Sequence, residues 1–193
     1  MSSRRPSSAA NSLHGKSNRK RARYDRGVAV VFVTGMSGTG KSAALAELAR
    51  RGHRVVDTDH GGYAEEVQSS DVGGWEQVWR EDRIGALLDG SDRGMLFISG
   101  CVSNQGKFYP RFDAVVLLTA PADVILERVS GRETNAFGKH DVERDRILHD
   151  LAHVEPLLRA AATTEIDTRA PLDEVVDALE AIAGSVQRRA EAT

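Results

Sequence analysis

The sequence predicts an α/β domain, a doubly wound parallel sheet of five strands, and three observations carry that expectation. Short apolar strands alternate with stretches of helical periodicity. The first strand, Val28-Ala29-Val30-Val31-Phe32-Val33, shows no polar alternation, as expected where both faces of a sheet are covered. Right-handed crossovers between parallel strands then send helices to both faces.

The elements follow in order. A helix after the first strand presents Ala43, Ala44, Leu45, Leu48 and Ala49, with Gly52 at its stop. Val55-Val56 forms a second strand, expected beside the first and ending at Asp57. Trp75, Val78, Trp79, Ile84, Leu87 and Leu88 recur at intervals that predict one helix with a broad buried face. Met95-Leu96-Phe97-Ile98 is the third strand and Ala114-Val115-Val116-Leu117-Leu118 the fourth. A helix carrying Val124, Ile125 and Val129 leads to a loop, Gly131 to His140, expected to act as a mobile lid. From Asp141 to Ala161 the pattern is helical, with Ile147, Leu148, Leu151, Val154, Leu157 and Leu158 inward and Pro156 kinking or dividing it. Glu165-Ile166-Asp167 is the last strand, and Pro171 opens a helix through Val175, Val176, Leu179 and Ile182.

A chain of 193 residues, 40% of them hydrophobic, holds one ordinary core, placed at 27–184. Residues 185–193 read as a polar tail. Residues 1–26 hold eight Lys or Arg against Asp25 alone, a net of +7, which leaves −9 for the remainder. The total of −2 excludes a uniformly basic nucleic-acid binder. Residues 1–26 have too few apolar residues to offset the entropy of ordering. They read as a disordered basic arm: a solvated leader, a transit peptide, or an arm for nucleic acid, the last not the favoured choice. Cys101 is the single cysteine, so no intramolecular disulfide forms, and no stretch reaches the length of a membrane span. A cytoplasmic protein without a membrane partner is expected.

Gly35-Met36-Ser37-Gly38-Thr39-Gly40-Lys41-Ser42 matches GxxxxGK[ST] between a strand and a helix. Glycines at 35, 38 and 40 let backbone N–H groups turn inward around a phosphate, at the positive end of the following helix. Ser37 and Thr39 complete this nucleotide cradle. Lys41 reaches the β/γ oxygens of ATP, and the Ser42 hydroxyl coordinates Mg²⁺. Asp57-Thr58-Asp59 puts two carboxylates on one side of extended backbone, where they repel unless a cation or proton lies between them. Asp57 is expected as a metal ligand, and Asp59 as the acceptor of the attacking hydroxyl's proton. The same residues also make good turn and capping chemistry. The run from Glu127 to Lys139 brings arginines to a flexible loop, with Arg128 expected on the adenine face and the catalytic Arg132 on the phosphates.

With cradle, aspartates and arginine loop in this order, residues from Val28 to Gly184 resemble the small P-loop kinases of the adenylate kinase and shikimate kinase type. The resemblance implies a P-loop NTPase-like fold with a lid. Asp57-Thr58-Asp59 is similar to shikimate kinase, whose corresponding aspartates attend the metal and the substrate hydroxyl. Arg128-Val129-Ser130-Gly131-Arg132 resembles the Arg-x-x-Gly-Arg start of the adenylate kinase lid, and Glu165 to Thr168 the strand whose following backbone lines the base pocket. Ser99-Gly100-Cys101 replaces the Gly-Gly-Gly turn of shikimate kinases, and Arg80 and Arg83 are the candidates for that family's substrate arginine. By position, Cys101, Asn104 and Gln105 would line the acceptor pocket and suit a polar, hydroxylated or heterocyclic acceptor better than a strongly anionic one.

The expected activity is therefore Mg²⁺-assisted transfer of the γ-phosphoryl group of ATP to a hydroxyl or phosphate of a small molecule. A nucleotide or nucleoside, a metabolite and an antibiotic all remain open as acceptor. A nucleotide-operated ATPase is the alternative, although no Asn-Lys-x-Asp motif occurs and the third strand ends in Ser99-Gly100 without an Asp-Glu pair. A polynucleotide-end kinase using the basic arm is the third reading.

Overall fold

The computed structural model describes residues 28–69, 74–91, 94–131 and 140–191. In chain order the elements are β1 (Ala29–Thr34), α1 (Lys41–Arg50), β2 (Arg54–Asp57), β3 (Ala64–Gln68), β4 (Trp75–Trp79), α2 (Glu81–Asp89) and β5 (Met95–Ser99). A 3₁₀ segment (Gln105–Arg111), β6 (Ala114–Thr119), α3 (Ala122–Gly131), α4 (Asp141–His153), α5 (Glu155–Ala161), β7 (Thr164–Asp167) and α6 (Leu172–Glu191) follow. The basic arm, Arg132 and most of the expected lid lie outside the described residues.

Five strands form one parallel sheet in the order β2-β5-β1-β6-β7. The fold is the α/β P-loop arrangement that the sequence predicts. One expectation is corrected: β2 does not neighbour β1, because β5 lies between them. Burial explains the order. Met95-Leu96-Phe97-Ile98-Ser99 is almost wholly buried and takes an interior place, whereas Arg54-Val55-Val56-Asp57 is half-exposed and takes the edge.

Successive residues of β1 feed two cores. Ala29, Val31 and Val33 pack with Ala44 and Leu48 of α1 and with Val175, Val176 and Leu179 of α6. Val30 and Phe32 pack on the other side with Trp79, Ile84, Leu88 and Phe112. The uninterrupted apolar run of β1 is thus a strand buried on both faces, the reading made from its sequence. Register then aligns the carboxyl ends: Ser99 pairs with both Val33 and Asp57, and Thr119 with Asp167. Loops leaving that edge build the site.

The stretch from Trp75 to Leu88 is not one helix. Trp75–Trp79 is a strand paired antiparallel with Ala64–Gln68, and the helix begins only at Glu81. Trp79 sits in an aromatic cluster, 5.1 Å from Phe32 and 5.5 Å from Phe108 between ring centroids, and those distant partners override the local periodicity. Arg80 is extended, and Glu81 and Asp82 in the first turn complement the positive end of α2. Pro156 does divide the following helical stretch, lying in the first turn of α5, while Leu148 and Leu157 face outward rather than inward. Past Gly184, where the sequence reads as a polar tail, α6 continues to Glu191; Gln187, Arg188, Arg189 and Ala190 are all good helix formers.

Candidate active site

The cradle joins β1 to α1. Its close approach to the sheet needs a residue without a side chain at position 35, since a Cβ there would lie 2.4 Å from the Leu118 carbonyl oxygen. Gly40, at φ +90°, turns the chain into α1, and nothing within 4 Å crowds the space a Cβ would take. Gly38 also has positive φ, against Val129 and Ile125 of α3. Lys41 Nζ folds over the loop and donates to the carbonyls of Gly35 (2.7 Å) and Met36 (3.1 Å). Ser37 lines the adjoining cavity. Thr39 is buried, and both its hydroxyl and its N–H go to the Met36 carbonyl, so its side chain shapes the loop rather than facing a ligand.

At the end of β2 the structure brings the expected metal pair together, with the Ser42 hydroxyl donating to Asp57 Oδ2 at 3.5 Å. Asp57 Oδ1 meanwhile accepts from the Asp59 N–H at 3.1 Å, so the turn chemistry is realised by the same carboxylate. Between the two acids, Thr58 points inward. Its hydroxyl donates to the Ser99 carbonyl (2.7 Å) and accepts from the Trp79 indole N–H (2.9 Å), both buried. A Cβ on Gly100 would lie 2.2 Å from that hydroxyl. Thr58, Trp79 and Gly100 therefore lock the aspartate step, a contact that sequence reading did not anticipate. Thr58→Val leaves the indole N–H buried without an acceptor and is expected to cost about 1–3 kcal/mol in urea unfolding, with Thr58→Ser restoring most of it.

Asp59 opens into the cavity, and the protein around it pushes its carboxyl pKa upward; Lys41 opposes that shift and Asp57 adds to it. The cavity measures about 1160 Å³. One wall is the β3–β4 hairpin, the other α4 and α5, and the floor runs from Cys101 to Tyr109. Cys101 and Gln105 line it, as expected, and burial pushes the Cys101 thiol up. Asn104 is a correction. Its amide pairs with the main chain of Trp79, accepting from the N–H at 2.8 Å and donating to the carbonyl at 2.9 Å, which ties the floor to the hairpin. Gln105 is committed as well, accepting from the Val102 N–H and donating to the Tyr109 hydroxyl at 2.7 Å. The side-chain amides of Asn104 and Gln105 are therefore spent on structure. Arg83 stacks on Tyr63 at 5.3 Å, and neither it nor Arg80 lines the cavity; Arg146 of α4 does.

On the opposite side of the cradle, Arg128 donates to the Thr168 hydroxyl (2.9 Å) and carbonyl (2.6 Å). It is anchored to the backbone after β7. Arg144 donates to Ser130 at the end of α3.

A family model described as an AAA domain matches residues 31–149, well over half of the chain and inclusive of the cradle and the aspartate step. The chain belongs to the AAA domain family. Its fold is similar to that of solved small P-loop kinases. It is similar to shikimate kinase from Acinetobacter baumannii in complex with shikimate, at TM-score 0.58 and 16% identity over 82% of this chain and 94% of that one. A shikimate kinase from Bacteroides thetaiotaomicron gives 0.52 at 20% identity, covering 84% and 97%. A gluconokinase from Sinorhizobium meliloti 1021 gives 0.50 at 19% identity, covering 84% and 94%. No curated protein matches the sequence.

In this AAA domain the donor set suits a divalent cation shared with phosphate oxygens. Among the described residues no group of three or more His, Cys, Asp or Glu could hold a metal ion alone. One hydroxyl and one carboxylate at the mouth of a phosphate cradle are what Mg²⁺ uses when it keeps its waters and binds a nucleotide. Among the described residues no helix is long and apolar enough to cross a membrane.

Proposed function

We propose that this AAA domain catalyses transfer of the γ-phosphoryl group of ATP to a hydroxyl or phosphate of a small molecule. The observation that carries this reading is the junction of cradle and cavity: Lys41 and the Ser42–Asp57 pair stand at the loop, and Asp59 stands where that loop meets an open cleft of molecular size. A motor or switch needs no second pocket of that volume beside its phosphates; a transferase does.

The residues divide the work. Backbone N–H groups of residues 35–42 and the amino end of α1 hold the phosphates. Lys41 exchanges its two carbonyl partners for phosphate oxygens and neutralises charge that grows during transfer. Ser42 and Asp57 would hold Mg²⁺, which when bound screens the phosphate charge and orients it. Asp59, its proton affinity raised by its surroundings, accepts the hydroxyl proton of the acceptor. Arg128 belongs to the base side of the site, anchored on Thr168, and Arg132 is assigned to the phosphates. The protein would work in the cytoplasm.

Incubation with γ-labelled ATP, Mg²⁺ and a panel of hydroxylated metabolites, nucleosides and antibiotics tests the reading. Label on an organic acceptor supports it. Label released only as inorganic phosphate, at a rate no acceptor alters, supports an ATPase instead.

A further inference from the structure

Resting on that phosphotransfer reading, we propose that Trp79 is a positioning residue for the magnesium site: its indole N–H fixes Thr58, and through Thr58 the direction in which Asp57 faces Ser42. The need for such a residue follows from where Asp57 sits. β2 is a four-residue edge strand paired with β5 on one side, and Asp57 is its last residue. Strand ends of that kind open at low cost. Yet the Asp57 carboxylate meets two partners at once, the Asp59 N–H at 3.1 Å and the Ser42 hydroxyl at 3.5 Å. The next residue supplies the anchor. Thr58 binds the Ser99 carbonyl twice, through its N–H at 2.9 Å and its hydroxyl at 2.7 Å, and that hydroxyl accepts from Trp79 Nε1 at 2.9 Å.

Packing alone does not call for an indole at position 79. Trp79 is buried, and its ring lies against those of Phe32, Phe108 and Phe112. A phenylalanine would extend that cluster; what tryptophan adds is a donor, which once buried has to find an acceptor. Gly100 makes the contact possible, since a Cβ there would lie 2.2 Å from the Thr58 hydroxyl and 3.4 Å from Trp79 Nε1, crowding both bonded atoms. The donor is itself held in place. β3 and β4 form a two-stranded hairpin outside the main sheet, a unit of marginal stability by itself. The Asn104 amide binds both main-chain groups of Trp79, and the Ser103 N–H and hydroxyl both donate to the Gln77 carbonyl, each at 3.1 Å. A run of hydrogen bonds thus leads from the floor of the cleft through Trp79 to the acid that would face the cation, and supports behind a metal ligand tune the affinity of the site.

The test is calorimetric titration of the non-hydrolysable analogue AMP-PNP into the full chain, with Mg²⁺ and again with EDTA, so that no acceptor is needed. The parent is expected to gain at least about tenfold in affinity from Mg²⁺. Trp79→Phe and Thr58→Val should each shrink that gain at least about threefold, with affinity in EDTA within about twofold of the parent. Thr58→Ser keeps the hydroxyl and should keep the gain. Adding Trp79→Phe to Thr58→Val should lower the gain no further, because the indole acts through that hydroxyl. The parent's full gain in either single variant, losses equal in Mg²⁺ and EDTA, or losses that add in the double variant would each overturn the proposal. Should Thr58→Val fail to fold, Trp79→Phe decides alone by the same criterion. If the parent shows the Mg²⁺ gain and Trp79→Phe retains it, this inference alone falls. If the parent binds no AMP-PNP, or binds it without regard to Mg²⁺, the phosphotransfer reading falls and takes this one with it.

Discussion

Lys41→Ala is expected to lower phosphoryl transfer by about 10²–10³-fold, because on the proposed reading it removes a cation from the point where charge develops on the transferred group. In the structure Lys41 Nζ caps the loop by donating to the carbonyls of Gly35 and Met36. Those bonds hold the amine over the space a phosphate would occupy, so binding the nucleotide is an exchange of acceptors rather than a rearrangement of the backbone. The loss should therefore fall mainly on kcat, with ATP affinity reduced less. Single-turnover transfer from γ-labelled ATP measures the first quantity and calorimetric titration the second. Thermal unfolding of the variant within a few degrees of the parent shows that the effect is chemical.

Asp59→Asn carries the second large effect, a fall in kcat of about 10²–10⁴-fold with ATP affinity nearly unchanged. The amide fills the same space but cannot take a proton. Asp57→Asn should do the reverse, weakening Mg²⁺-dependent nucleotide binding, because Asp57 is the carboxylate that faces Ser42 at 3.5 Å. Loss of ATP binding in Asp59→Asn with chemistry intact in Asp57→Asn would exchange the two roles. The pair is a demanding test because these acids lie two residues apart and are held by the same Thr58 latch. General disruption of the loop would damage both variants alike.

The parts of the candidate site that the sequence locates in the fold are those built by local chain geometry. A glycine-rich turn between an apolar strand and a helix determines its own conformation, and Lys41 and Ser42 follow from it by position alone. Asp57 was legible because it ends a strand, even though β5 separates that strand from β1. What sequence reading missed is non-local. Trp79 belongs to a strand because Phe32, Phe108 and Phe112 surround it, and nothing within ten residues of it encodes those contacts. A partial signal for the hairpin did exist: Trp75-Glu76-Gln77-Val78-Trp79 is rich in β-formers and follows Ser69-Ser70-Asp71-Val72-Gly73-Gly74, a run of turn-forming residues, although Ala64–Gln68 on its other side holds only Val67 as a β-former. Helical spacing of the tryptophans outweighed it. Asn104 has the chemistry to meet an acceptor, yet its amide is claimed by the Trp79 main chain, 25 residues earlier. A side chain's chemistry alone does not show whether another part of the fold has claimed it.

The central claim is that residues 35–42 cradle the phosphates of ATP while Ser42 and Asp57 share a magnesium ion. Calorimetric titration of ATP into the full chain, with Mg²⁺ and again with EDTA, tests it most directly. The account predicts saturable binding that is at least about tenfold tighter with Mg²⁺, a dependence that Asp57→Asn largely abolishes. Absence of binding, or an affinity indifferent to Mg²⁺ in the parent chain, would contradict it.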